Sequence, residues 1–260
     1  MPNTTNASAS RALARLPQAA FWDERRIFKE IIARCLKSKT KDAGDSAWSL
    51  RELHSLAAQF PRVLHLRDSH GRTPLMFAAM KGLADALGAL IPGSDPACAQ
   101  PETGKTALML AAEAGHSECA RLLLQADHAA SRTQPRSLGG ATALMLAASS
   151  GSSACTELLI PFCDPKATTD AGWSALMFSA YYGRAEAAKI LIPVSDLLAA
   201  GALYGGGQVD AAAICRMQGL PELASLIEQT QACRQARELG RELEDVAVKP
   251  LPTPPRSMRI

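Results

Sequence analysis

The sequence predicts an all-α solenoid of stacked helix-turn-helix repeats, closed at each end by a helical cap. Three observations carry this. A twelve-residue phrase recurs four times at a nearly constant step. Apolar residues make up 47% of the chain but aromatics only 5%, so the core must be built from Ala, Leu, Ile and Met. Such residues suit closely packed small helices better than a sheet, which favours β-branched and aromatic side chains. The segments flanking the repeats also space their apolar residues as helices do. The 260 residues fit two ordinary domains or one extended array. No uninterrupted apolar run reaches the roughly 18 residues that a membrane-spanning helix needs.

The repeated phrase is GRTPLMFAAMKG from Gly71, GKTALMLAAEAG from Gly104, GATALMLAASSG from Gly140 and GWSALMFSAYYG from Gly172. Its Thr or Ser falls at positions 73, 106, 142 and 174, in steps of 33, 36 and 32 residues. That hydroxyl can cap a first helix by accepting from an orphan backbone N–H. The Ala pairs, such as Ala78-Ala79 and Ala111-Ala112, let helices approach closely. Gly82, Gly115, Gly151 and Gly183 then end the helix where positive φ is needed. A second helix follows in each copy, marked by Leu90-Ile91, Leu122-Leu123-Leu124, Leu158-Leu159-Ile160 and Ile190-Leu191-Ile192. One copy cannot bury this surface alone, but a stack can. A fifth, degraded copy follows, with Asp210-Ala211-Ala212 standing where Ser174-Ala175-Leu176 stood.

These phrases resemble the ankyrin repeat, with its period of 33 and its T-P-L-H-x-A signature. The resemblance covers about residues 68–228. It departs from the pattern uniformly, because Met76, Met109, Met145 and Met177 stand where the His is usual. By position these Met side chains are core or groove lining. Cys119 and Cys155 occupy the place of Ala86 and Ala187 in the neighbouring copies, so they read as small core fillers.

The expected organisation follows. Residues 1–20 form a disordered tail, 21–67 a helical N-terminal cap, and 68–232 the array. Residues 233–247 form a C-terminal helix extension and 248–260 a Pro-rich disordered tail. In the cap, residues 21–37 are helical. Residues 38–47 read as a loop around Gly44, and Ser49–Glu52 fits a capping box opening a second helix, unless Trp48 begins it earlier. At the far end Pro221 opens a helix whose apolar stripe is Leu223, Leu226, Ile227, Leu239 and Leu243, with an interruption at Gly240. Residues 193–209, with Tyr204 and Gly205-Gly206-Gly207, read as a long flexible loop that either covers or helps form a groove. The segment Lys249–Pro255 matches a polyproline ligand, although a plain tail is the simpler reading.

Charge is unevenly spread. Residues 1–67 carry 12 Lys/Arg against 6 Asp/Glu, or +6; residues 68–232 carry 10 against 15, or −5; residues 233–260 carry 6 against 4, or +2. The whole chain is therefore a poor nucleic-acid ligand on electrostatic grounds. The seven cysteines include no C-x-x-C pair, which points to a reduced, intracellular, cytoplasmic protein. Residues 1–22 carry no acidic group and no apolar stretch; they read as a disordered tail, or as a delivery signal such as an organellar presequence or a bacterial secretion leader into a host cell. His54, His65, His70, His116 and His128 make no metal spacing, and there is no phosphate loop or nucleophile elbow. Asp68, Asp127 and Asp170 fall in turns, their ordinary place. The expectation is no catalytic residue, no metal and no cofactor. The remnants outside the array are too short for an ordinary catalytic domain.

The resemblance implies a protein-binding module that meets its partner on a concave face. The exposed positions lie just before the Thr or Ser and just before the helix-ending Gly. They are His70, Arg72, Met80 and Lys81 in the first copy, then Thr103, Lys105 and Glu113 in the second. The third is bland, with Gly139, Ala141, Ser149 and Ser150; the fourth offers Asp170, Trp173, Tyr181 and Tyr182. Trp and Tyr are enriched at binding hot spots, so the expected anchors are Trp173, Tyr181 and Tyr182, with a basic end at Arg72, Lys81 and Lys105. The competing expectation packs these rings against loop 193–209. Two other functions stand beside the scaffold. One is a delivered bacterial effector gripping a host protein. The other is a nucleic-acid or anionic-surface binder acting through residues 1–67. Neither a membrane span nor a small-molecule substrate is implied.

Overall fold

In the computed structural model, residues 24–37, 43–126, 137–202 and 208–248 are described. They divide into two compact units, residues 1–138 and 139–260. The expected tail at 1–20 and all but the first residue of the expected tail at 248–260, together with Asp127, His128, Tyr204 and Gly205-Gly206-Gly207, lie outside the described residues; Val248 itself ends the last helix.

Among its described residues the first unit holds six helices. They are α1 (Glu24–Lys37), α2 (Ala43–Gln59), α3 (Pro74–Lys81), α4 (Ala84–Leu90), α5 (Ala107–Glu113) and α6 (Ser117–Ala126). Short 3-10 turns at Pro61–His65 and Ile91–Gly93 follow α2 and α4. The helices form two columns, with α1, α3 and α5 stacked in one and α2, α4 and α6 in the other. The spacing of the α1 residues explains its place. Ile27, Ile31 and Cys35 share one face and are buried, while Leu36 points away and is exposed. Arg34 of α1 pairs with Glu52 of α2, joining the two helices across their polar edge. The expected loop at 38–47 is corrected in part, because α2 begins at Ala43 and carries Gly44 inside its first turn. A glycine there costs about 1 kcal/mol of helix propensity, which a helix of 17 residues docked on α1 and α4 can absorb.

The second unit holds α7 (Ala143–Ser150), α8 (Ser153–Leu159), α9 (Ala175–Tyr181), α10 (Ala185–Leu191), α11 (Ala211–Met217) and α12 (Pro221–Val248). Again the first helices stack as α7, α9 and α11, and the second as α8, α10 and α12. The expected loop at 193–209 is corrected: it contains a small antiparallel ladder of β1 (Ala200–Ala202) and β2 (Gln208–Asp210). The same place in earlier copies carries a single bridge, Ala99 to Thr106 and Thr168 to Ser174. The ladder is thus the repeat's own loop with its pairing extended.

The local chemistry is the same in every copy. Thr73, Thr106, Thr142 and Ser174 each accept from the backbone N–H of the Met three residues on, at 3.3 to 3.4 Å. Asp210 does the same for Ala213 at 2.7 Å, which makes α11 the first helix of the degraded copy. The Met at the third helical position is buried at 1% exposure or less in all four copies. Met145 adds a second bond, its Sδ accepting from the Thr142 N–H at 3.4 Å. Thioether thus fills the core and, in one copy, the cap. Cys119 and Cys155 are buried, as core fillers should be. Burial also pushes the Cys155 thiol pKa upward.

Helix α12 runs unbroken through Gly240, against the expected interruption. Its apolar stripe is only partly a core face. Leu223 and Ile227 are buried against the array, but Leu226 is 39% and Leu239 60% exposed. The reason is reach. Among the described residues α12 packs chiefly on α10 and α11, and its buried residues Leu223, Ala224 and Ile227 all lie in its first two turns.

Candidate partner-binding surface

The residue before each capping Thr or Ser and the residue seven after it stand next to one another. The first sits at the tip of the loop and the second in the last turn of the following helix. In the first copy, Arg72 Nη1 lies 3.3 Å from Met80 Sδ. The same guanidinium sits over the Phe77 ring at 5.9 Å. In the second copy, Lys105 Nζ reaches both carboxylate oxygens of Glu113 at 2.7 Å. In the fourth, the Trp173 and Tyr181 rings meet edge to face, with centroids 5.3 Å apart at 84°. One register thus carries three chemistries: cation on thioether, ion pair, and ring on ring.

The first two pairs are engaged within their own copies. Arg72 also holds Asp68 through Nε and Nη2, at 2.8 and 2.7 Å. Asp68 Oδ1 accepts from the backbone N–H of His70 and of Arg72 at 2.8 and 2.9 Å. Burial would raise the Asp68 pKa, but the Arg72 bonds and charge outweigh it and hold the carboxyl below its ordinary value. The guanidinium therefore ties the loop closed as well as facing outward. Met80 is half-buried beside it and Lys81 is exposed. Among the second-copy positions, Thr103 is half-buried and donates to Gln100 Oε1 at 2.8 Å. Gln100 itself donates to the His70 carbonyl of the preceding copy.

The fourth copy is built differently. The Trp173 indole is half-buried rather than exposed. Its Nε1–H donates to the Ala202 carbonyl of β1 at 2.8 Å. The close approach requires Gly201, where a Cβ would stand 2.9 Å from the indole Cδ1 and 2.7 Å from Met177 Cε. The expectation that the rings pack against 193–209 thus holds for Trp173, on the hairpin that replaces the loop. Tyr181 and Tyr182 remain 45% and 51% exposed. Tyr182 stands edge-on to Tyr181, with centroids 5.2 Å apart at 89°, and Phe178 closes the cluster 5.6 Å from Trp173. Such T-shaped contacts match the aromatic quadrupole and contribute about 0.5–1.5 kcal/mol each beyond area burial. The result is a fixed ladder with Trp at its root and two phenols at its open end. Within the same register, Ser149 on α7 flanks it on one side and Met217 on α11, 68% exposed, on the other. Ser149 and Ser150 turn their hydroxyls back onto the Leu146 and Ala147 carbonyls at 2.8 Å, leaving a low polar floor.

Several functional supports escaped sequence reasoning. Arg67 bridges two copies, with Nη1 donating to the Gly71 and Ala99 carbonyls at 3.0 and 2.8 Å. Arg184 packs its stem over Gly151 and donates to the Ser149 carbonyl at 3.1 Å. Asp95, Asp164 and Asp196 each accept from the N–H two residues on, at 2.9 to 3.0 Å. These last had a legible signal, a Ser-Asp or Cys-Asp step after the second helix of three copies, the second copy having Ala126-Asp127 instead. Among the described residues, no group of three His, Cys, Asp or Glu is placed to hold a metal ion. No described helix is long and apolar enough to cross a membrane.

The paired helices, the capping hydroxyls and the bridged loop tips have a counterpart among known families. The family model for ankyrin repeats in three copies matches residues 49–136 and 129–199. No curated protein matches the chain. Ankyrin repeats generally serve as protein–protein interaction modules and are typically not enzymes. With more than half of its length matched and the repeat's caps and loops in place, the chain belongs to the ankyrin-repeat family.

Proposed function

We propose that the protein is a non-enzymatic binding module whose second unit grips a protein partner through the Tyr181–Tyr182 ladder. One observation carries this. Two of the three tyrosines of the chain stand half exposed at adjacent positions, braced edge-on by a tryptophan that is itself pinned to the backbone of β1. Rigid aromatic side chains lose little rotamer freedom on binding, so they gain contact area at low entropic cost. The phenol hydroxyls add a polar handle at the rim of an apolar contact. Trp173 acts as the brace and the tyrosines as the contact. Arg72, Met80, Lys81, Lys105 and Glu113 form a second, more polar surface in the first unit, in which four of the five side chains are tied to one another or to Asp68 and so are less available to a partner.

The test is capture from a native lysate with the wild type and with Tyr181→Ala/Tyr182→Ala, identified by mass spectrometry. Both tyrosines are exposed enough for circular dichroism to stay unchanged. A protein retained by the wild type should bind the variant at least about 30-fold more weakly, the loss of about 2 kcal/mol expected of a hot spot. Equal retention by the two would remove the ladder from the interface.

A further inference from the structure

The second helix of a copy follows a charge rule of its own. In α6, Arg121 Nε donates to Glu118 Oε2 at 3.0 Å, and in α10, Lys189 Nζ donates to Glu186 Oε1 at 2.9 Å. In both copies the cation lies three residues after the acid, on the same helix face. The first copy keeps the acid, Asp85, but puts Gly88 in the place of the cation. The next position is cut back as well, with Ala89 where the other copies have Leu122, Leu158 and Ile190. A Cβ on Gly88 would meet nothing within 4 Å, so that place is open. The two deletions leave a cleft of about 450 Å³ between α2 and α4. Leu50, Arg51 and His54 of α2 line one wall, and Asp85 and Ala89 of α4 the other. Leu50 and Ala89 are half-buried and form its apolar floor, while Arg51, His54 and Asp85 stand exposed at the rim. Among the described residues, these three rim side chains make no hydrogen bond or ion pair.

We infer that this cleft receives the C-terminal lysine or arginine of a partner chain. The side-chain cation meets Asp85, the methylene stem covers Leu50 and Ala89, and the α-carboxylate meets Arg51 and His54. Charge selects this occupant. A simple cation would face Arg51 as well as Asp85, and a simple anion would face Asp85 as well as Arg51. A ligand with both charges separated by an aliphatic stem satisfies both walls. Its cation and stem are those that the repeat itself lacks at positions 88 and 89. A free amino acid would bring its α-ammonium beside Arg51 and His54, whereas a residue at the end of a chain presents an amide there. The rim groups are exposed, so each ion pair contributes little and the affinity is modest. The site lies in the first unit and uses no residue of the Tyr181–Tyr182 ladder.

A chemical-shift titration of the isotope-labelled full chain with Nα-acetyl-lysine tests this. Saturable shifts in α2 and α4 are expected, with a Kd of about 1 mM. Absence of saturation by about 20 mM would overturn the inference. Nα-acetyl-lysine amide, which lacks the carboxylate, should bind at least about threefold more weakly, as should Nα-acetyl-lysine to Asp85→Asn or to Arg51→Gln. Equal binding in all of these would overturn the assigned contacts. Gly88→Lys restores the repeat's own pair with Asp85 and fills the cleft, so binding should fall at least about tenfold. Its melting temperature should rise, since lysine is a better helix former than glycine, which separates the loss from unfolding. Gly88→Ala gains helix propensity without a cation and should keep most of the affinity. Unaltered binding in Gly88→Lys would place the ligand elsewhere and overturn the site. Free lysine should bind more weakly than Nα-acetyl-lysine; tighter binding of free lysine would overturn the chain terminus as the occupant.

Discussion

Arg234 shows how much one side chain can hold. Its two terminal nitrogens satisfy three carbonyls left over where α10 ends, at Ile192, Pro193 and Ser195. A cation at a helix C-terminus also meets the negative end of the helix dipole. Hydrogen bonds to a charged group are worth more than neutral ones, and removing the donor leaves the carbonyls unpaired. Arg234→Ala should therefore lower stability by about 2 kcal/mol, read as a lower urea midpoint at unchanged slope. Arg234→Lys should recover less than half of that, since an ammonium lacks the planar fork that reaches several acceptors at once. Nothing in the sequence marked this residue, because its acceptors lie 39 to 42 positions away. The capping hydroxyls were legible for the opposite reason: each acts three residues along the chain, and the spacing repeats. Trp173 falls between these cases. Its place at the loop tip could be read from the repeat, but its half-buried state depends on the Ala202 carbonyl, 29 residues on.

Elements were legible where the repeat fixed them and less so at its margins. The start of α2 at Ala43 and the continuity of α12 through Gly240 both set tertiary context or helix length against a local glycine signal, and the local signal lost. The glycines that end loops and helices can be ranked by what surrounds them. Gly172 and Gly183 both adopt left-handed backbone, at φ +80° and +66°. A Cβ on Gly183 meets nothing within 4 Å, whereas one on Gly172 would stand 2.7 Å from the Ala200 carbonyl of β1. Gly183→Ala should cost about 1–2 kcal/mol, the backbone term alone. Gly172→Ala should cost more, because a backbone carbonyl must shift as well. It should also loosen the hairpin that seats Trp173, so partner affinity should fall with it, while Gly183→Ala leaves affinity near wild type. Chemical denaturation and binding measured on the same two variants would separate strain from loss of the seat. Equal stability costs would show that the hairpin yields freely at Ala200.

At the scale of the whole molecule, charge and apolar surface are assigned to different parts of the chain. The basic excess, +6, lies within residues 1–67, while residues 68–232 sum to −5. The exposed aromatic ladder lies in the acidic stretch, and in the same unit Lys189 pairs with Glu186 and Arg216 with Glu228. Contacts made through Tyr181 and Tyr182 draw on apolar burial and ring packing, which salt leaves intact or strengthens. Contacts made through the basic segment would draw on screened Coulomb attraction, which fades as the Debye length contracts. For an anionic polymer such as nucleic acid, counterion release would make that loss steep, several powers of ten for six or more phosphate contacts. Binding of the captured partner should therefore change by less than about threefold between roughly 0.1 and 0.5 M NaCl, as measured by titration calorimetry at each salt concentration. A fall of a hundredfold or more over that range would move the interface from the ladder to residues 1–67, and the tyrosine variants would then bind as tightly as the wild type.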